Sequence, residues 1–150
     1  MLSHPSSPSP VETTLRVRYA ETDQMGVVYH ANYIIWMEVG RVEYFRSSGM
    51  RYRDIEVNDG ILLMVAEIQC RFRAPAHYDE EVTVRTSLTE ADPRMVKFEY
   101  ELQGEDARSL ATGYTKHVFC GRDRKPHRLP EKYYAAFGIA EGRLPTLMKV

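Results

Sequence analysis

The stretch Tyr19-Ala20-Glu21-Thr22-Asp23-Gln24-Met25-Gly26-Val27-Val28-Tyr29-His30-Ala31-Asn32-Tyr33 joins a short alternating segment to the first long helical pattern of the chain. Upstream, Thr13 to Tyr19 alternates, with Leu15, Val17 and Tyr19 on one side and Thr14, Arg16 and Arg18 on the other, which is the period of a half-buried strand. Downstream, Ala31 to about Ser48 contains no proline, stops at Gly49, and distributes Tyr33, Ile34, Trp36, Met37, Val39, Val42, Tyr44 and Phe45 around nearly every face of a helix. A helix apolar all round is a buried helix.

Beyond that helix the period changes from 3.6 to 2. Ile61 to Arg73, Glu81 to Thr89, Met95 to Leu102 and Ser109 to Cys120 read as strands, separated by Ala74-Pro75, Ala91-Asp92-Pro93 and Gly104-Glu105-Asp106. Four sequential strands with short connections predict an antiparallel meander. The third shows the alternation most plainly, with Val96, Phe98, Tyr100 and Leu102 on the core face and Lys97, Glu99, Glu101 and Gln103 on the other. Pro130 to Phe137 is expected to form a short closing helix. The fold class is therefore α+β, a sheet of about five strands around one apolar helix. One sheet cannot cover such a helix completely, so a second copy of the chain is expected on the uncovered side.

The 150 residues suit one domain. Residues 1–11 carry a Pro/Ser-rich segment expected to be a flexible tail, 12–138 form the domain, and 139–150 make a C-terminal extension. Twenty Lys and Arg balance 21 Asp and Glu to a formal charge of −1, which argues against a nucleic-acid partner. The longest apolar run, Ile61 to Ala66, is too short for membrane insertion, and the N-terminus has no basic and apolar leader pattern, so a cytoplasmic location is expected. Cys70 and Cys120 lack metal-ligand or disulfide-framework spacing, and the five histidines show no HxxxH or HExxH pattern, so no metal is expected.

In the opening stretch a carboxylate (Asp23), an imidazole (His30) and a helix start meet within one loop. A helix start offers unpaired N–H groups and a positive dipole end, both suited to an oxygen gathering negative charge. Tyr29 and His30 are poor caps, which leaves donors near Ala31 for a ligand; alternatively Asn32 is the cap and satisfies them itself. Asp23 beside Gly26 reads equally as an ordinary turn residue.

The architecture, with Thr22-Asp23-x-x-Gly26-Val27-Val28-Tyr29-His30-x-x-Tyr33, Glu38-x-x-Arg41 and Arg73-Ala74-Pro75-Ala76 with Asp79, resembles the 4-hydroxybenzoyl-CoA thioesterase superfamily and its hotdog fold. The acyl-CoA thioesterases of the Tol-Pal gene cluster type are the nearest likeness. The resemblance covers about Thr13 to Phe137. It implies hydrolysis of an acyl-CoA or acyl carrier protein thioester without a cofactor. Asp23 then matches the catalytic carboxylate, the amides around Tyr29 to Ala31 the groups polarising the carbonyl, His30 an active-site imidazole, and Tyr19 a tyrosine lining the site. A homodimer, often doubled to a homotetramer, with active sites at the dimer interface, is also implied.

A thioester needs a nucleophile and a place for the developing oxyanion. Asp23 serves as nucleophile or general base, Tyr33 and Ala31 face the substrate, and Arg122, Arg124 and Lys125 in Gly121–Arg128 grip CoA phosphates or form a solvated turn. A second branch of the superfamily puts its carboxylate on the helix, where Glu38 is the nearest candidate. Tyr33, Trp36, Tyr44 and Phe45 line an acyl pocket or, as suits helical spacing in a buried helix, belong to the core; His77 and His117 read as surface or strand residues without chemistry, and His4 and His127 as residues of mobile or turn segments. A hotdog dehydratase or hydratase and a non-catalytic acyl-CoA binding module are the competing functions. The absence of a proline near His30 disfavours the first, and the retained carboxylate the second.

Overall fold

The computed structural model describes residues 9–139. Strand β1 (Val11–Arg16) leads through the Asp23 loop into helix α1 (Ala31–Ser47), then a short helix α2 (Tyr52–Asp59) and strands β2 (Leu62–Phe72), β3 (Glu81–Ala91), β4 (Met95–Gln103) and β5 (Ser109–Cys120). The five strands form one antiparallel sheet in the order β1-β3-β4-β5-β2. Helix α1 lies across it, burying Tyr33, Trp36, Met37, Gly40, Tyr44 and Phe45. The expected face of β4 is the core face: Val96, Phe98, Tyr100 and Leu102 are all buried.

Gly40 explains how closely helix and sheet approach. A Cβ there would stand 2.8 Å from Val84 Cγ1 on β3 and nearer still to Thr86 Oγ1, so only a glycine lets α1 settle at this depth. The opposite side of α1 carries Ile35 and Val39 in solvent, and the free edge of β2 exposes Met64, Val65, Ile68 and Phe72.

Four sequence expectations need correction. The first strand ends at Arg16 rather than Tyr19, because Tyr19–Glu21 turns into a 3-10 helix and Tyr19 stands 77% exposed. The meander holds for β3-β4-β5 only, since β2 pairs with β5 at the far edge and β1 takes the place beside β3. Residues 73–80 make this crossing, three strand spacings of about 4.8 Å each, which is well within the reach of eight residues. Helix α2 occupies residues to which the sequence pattern assigns no element; it buries Ile55 and ends at Gly60, whose φ of 65° suits a glycine. Pro130 to Phe137 holds two 3-10 turns, Glu131–Tyr133 and Ala135–Phe137, in place of a continuous helix.

Most of the expected tail and C-terminal extension lies outside the described residues, although Val11 already pairs with Thr86 in the sheet. No helix among the described residues is long and apolar enough to cross a membrane.

Candidate active site

The loop after β1 is fastened by Glu21, which is 5% exposed. Its carboxylate accepts from the Arg18 backbone N–H at 2.8 Å and from the Trp36 indole N–H at 3.0 Å. Its carbonyl accepts from the Tyr29 N–H at 2.8 Å and from Asn32 Nδ2 at 3.0 Å. One buried residue thus ties the loop's start, its end and the helix together. Beyond it the chain folds back on itself: the Asp23 N–H donates to the Val27 carbonyl at 2.9 Å, and Thr22 bridges Val28. Gly26 makes the reversal at φ 79°.

Asp23 sits at the head of this turn, half-buried. Its Oδ1 accepts from the Met25 N–H at 2.8 Å, which fixes the carboxylate's orientation, and Oδ2 has no hydrogen-bond partner among the described residues. The side chain is held by one oxygen and offers the other.

The helix start is open. Asn32 spends its side-chain amide on the Glu21 carbonyl and does not cap, and His30, already helical at φ −57° and ψ −30°, makes no side-chain cap bond. The Asn32 and Tyr33 N–H groups turn back onto the carbonyls of Tyr29 and His30 at 3.0 and 3.2 Å. The N–H groups of His30 and Ala31 find no acceptor among the described residues. Of the two readings open in the sequence, the uncapped one holds.

An open cleft of about 370 Å³ lies here, and Asp23, His30, Tyr33, Phe72, Arg73 and Pro75 are among its walls. The His30 ring meets Phe72 edge-on at 6.2 Å, and Tyr33 meets Phe72 at 5.2 Å. Tyr33 is buried, and its hydroxyl oxygen accepts the Ala76 N–H at 3.1 Å; burial outweighs that bond and raises its pKa, so it stays a neutral phenol. The far wall is pinned by Glu80. Burial by itself would raise this carboxyl, but the His77 and Glu105 N–H groups and Arg108, whose Nη2 lies 2.9 Å away, together bring it below the usual carboxylate range. Arg108 Nη2 also donates to the Pro75 carbonyl at 3.1 Å, at the cleft's rim.

Asp23, His30 and Tyr33 are thus brought together, with Ala31 at the helix start beside them. Tyr29 packs at a tilt against His30, centroids 4.4 Å apart, half exposed and without lining the cleft. Tyr19 packs edge-on against Tyr78 at 5.6 Å, also outside the lining. Arg122, Arg124 and Lys125 lie in the turn after β5, on the α2 side of the molecule, where Arg122 Nη2 donates to the Glu56 carbonyl at 2.8 Å. Within one chain they do not reach the cleft. Glu38 lines a different cavity. Sequence reasoning missed Glu21 and passed over Arg73 as a site residue. Arg73 is the one cation in the cleft wall and has no carboxylate within ion-pair distance among the described residues.

Residues 17–137 match the family described as the thioesterase-like superfamily. The chain belongs to that superfamily. It is 42% identical over 105 residues to a putative acyl-CoA thioesterase, YneP, of Bacillus subtilis, a match covering 70% of this chain and 64% of that protein. It is 30% identical to the acyl-CoA thioesterase YbgC of Haemophilus influenzae, over 82% of this chain and 90% of the relative. Among solved structures, the DHNA-CoA thioesterase of Staphylococcus aureus superposes with a TM-score of 0.83 at 32% identity, covering 87% of this chain and 89% of that one. The five-stranded antiparallel sheet around α1 is the hotdog fold of these thioesterases.

Proposed function

We propose that the protein hydrolyses an acyl-CoA thioester to the free acid and CoA, with Asp23 as the reacting carboxylate. One observation supports this reading: Asp23, with a free carboxylate oxygen, and His30, which opens a helix start where the N–H groups of His30 and Ala31 are unclaimed, border the same open cleft. In the nucleophilic form, Asp23 attacks the carbonyl carbon, the C–S bond breaks, the thiolate takes a proton from solvent, and water hydrolyses the mixed anhydride to regenerate Asp23. In the general-base form, Asp23 takes a proton from the attacking water, the C–S bond of the tetrahedral intermediate breaks, and Asp23 passes the proton to the departing thiolate, which regenerates the carboxylate. In both, the N–H groups of His30 and Ala31 hold the oxyanion, each properly aimed donor contributing about 2.7–4 kcal/mol. His30 orients the thioester beside Phe72, and Arg73 favours the anionic CoA. Names of relatives that act on acyl-CoA support this substrate class.

Arg124 and Lys125 remain candidates for CoA phosphates from a neighbouring subunit. Support for such a subunit comes from the apolar free edge of β2 together with Ile35 and Val39 on the open side of α1. Two β2 edges pairing antiparallel give a closed homodimer, which can double to a tetramer. A cytoplasmic location, where CoA esters are made and used, belongs to the same reading.

The test is steady-state release of free thiol from a panel of acyl-CoA esters by wild type and Asp23→Asn. Near-full activity in Asp23→Asn would end the assignment. Loss confined instead to a folded Glu38→Gln would transfer the role to the helix.

A further inference from the structure

A second cavity, sharing no lining residue with the Asp23 cleft, lies at the middle of α1. Its volume is about 180 Å³. A dry engineered cavity of about 150 Å³ holds benzene, so this one is the size of a single ring. Val42, Phe45, Tyr52 and Leu63 make its apolar wall, and Glu38, Arg41 and His117 its polar one.

The polar wall has a direction. Arg41, which can only donate, gives Nη1–H to the Tyr100 hydroxyl oxygen at 3.1 Å. Tyr100 lies 2.6 Å from Thr115 Oγ1, and Thr115 Oγ1 lies 2.8 Å from His117 Nε2. Every hydroxyl hydrogen in this chain has an acceptor if Tyr100 donates to Thr115 and Thr115 donates to Nε2. His117 then carries its proton on Nδ1. That atom is buried without a partner among the described residues, in a side chain only 1% exposed. Burial, aided by the nearby Arg41 charge, lowers the His117 pKa to about 3, so the ring is neutral and the Nδ1–H is a standing donor at ordinary pH. Arg41 is half-buried and has no carboxylate within ion-pair distance among the described residues, although Glu38 is one turn away. One unpartnered buried N–H and one guanidinium without a carboxylate partner, beside an apolar wall, form a receptor for an anionic oxygen on an apolar body.

We propose that this cavity is a second small-molecule site that takes a ring-sized monocarboxylic acid. The carboxylate accepts from Arg41 and His117 Nδ1, and the ring packs against Val42, Phe45 and Leu63. Glu38 selects against a second anionic group on the guest. The site stands on its own geometry and does not depend on the hydrolytic reading; if hydrolysis is correct, acids of this class are also what the Asp23 cleft releases.

The test is titration of the 15N-labelled full-length protein with sodium benzoate against sodium chloride at equal ionic strength, followed by amide NMR. Saturable shifts are expected at Arg41, Val42, Leu63 and His117, with the Asp23–Gly26 amides unmoved and Asp23→Asn binding as wild type does. Phthalate is expected to bind about 10-fold more weakly, a difference of about 1.4 kcal/mol. Arg41→Gln removes the charge and Val42→Phe fills the cavity; either is expected to weaken benzoate at least about 10-fold while keeping the wild-type spectrum. Should Arg41→Gln fail to fold, Val42→Phe decides alone. Absence of saturable shifts up to about 10 mM, shifts confined to the Asp23 cleft, or undiminished binding by a folded Val42→Phe would overturn the proposal. Thiol release is not the readout, so failure of the hydrolytic assignment leaves the outcome readable.

Discussion

The start and the middle of helix α1 solve opposite problems with the same kinds of group. At its N-terminus, His30 and Ala31 leave N–H donors open, Asp23 keeps one oxygen unpaired, and the cleft is open to solvent. Ten residues further along, half-buried Arg41 is linked atom to atom with Tyr100, Thr115 and His117, which are buried beneath the helix. The lesson is one of access. Groups at the open start can exchange protons and water with a substrate, whereas the enclosed relay fixes its hydroxyl protons and leaves one buried N–H, on His117 Nδ1, without a partner.

That contrast is sharpest in activity. Asp23→Asn should lower kcat by about 10²–10⁴-fold in thiol-release assays with little change in Tm, since the carboxylate makes only one local bond in the fold. Wild-type turnover by this variant would erase the distinction between the two regions. Association comes next: Ile68→Glu places a charge on the free edge of β2 and should shift the sedimentation coefficient from dimer or tetramer to monomer. A monomeric wild type would remove the partner subunit from the account of the site.

Midway along the helix, Gly40→Ala forces a methyl group against Thr86 and Val84 and should cost about 1–3 kcal/mol in urea unfolding. An unchanged midpoint would mean that α1 floats above the sheet. In the enclosed relay the effect lies in pH. A histidine whose pKa falls from 6.5 unfolded to about 3 folded binds more protons in the unfolded state between those values, so stability drops as pH falls through that window. The slope from this one group is at most about 1.4 kcal/mol per pH unit, and His117→Gln should remove it. Smallest is Glu80→Gln at the cleft wall. Its carboxyl is held below its ordinary 4.5, so its stabilisation is present above that pH and is lost as pH falls through the lowered value. The variant should flatten stability in that acid range, as seen by denaturant midpoints at stepped pH.

The strands with clean alternation were legible in the sequence: Ser109–Cys120 has the expected bounds, and β4 buries the expected face. The Asp23 loop was legible too, because a turn glycine, a carboxylate and poor helix caps are local signals. The position of β2 was not, since its neighbour in the sheet is chosen by residues some fifty positions away. Helix α2 escaped because, among Tyr52–Asp59, only Ile55 is fully buried and the rest reads as polar surface. Glu21 looked like any loop carboxylate; only Trp36, brought over it by the fold, reveals its task. His117 was set aside as a surface or strand residue, although its parity with Phe119 on β5 pointed inward.

The free edge of β2 has a consequence before the protein is finished. Leu62 pairs with Cys120 and Phe72 with Ala111, so this apolar strand leaves the ribosome ahead of the strand that will receive it. At a synthesis rate of about 5–20 residues per second, Met64, Val65 and Ile68 wait on the order of several seconds with neither flank hydrogen-bonded. Slower translation lengthens that wait, and nascent chains on one polysome carry the same sticky ribbon side by side. Yield in the cell should therefore depend on chaperone supply more than the balanced charge of the finished surface would suggest.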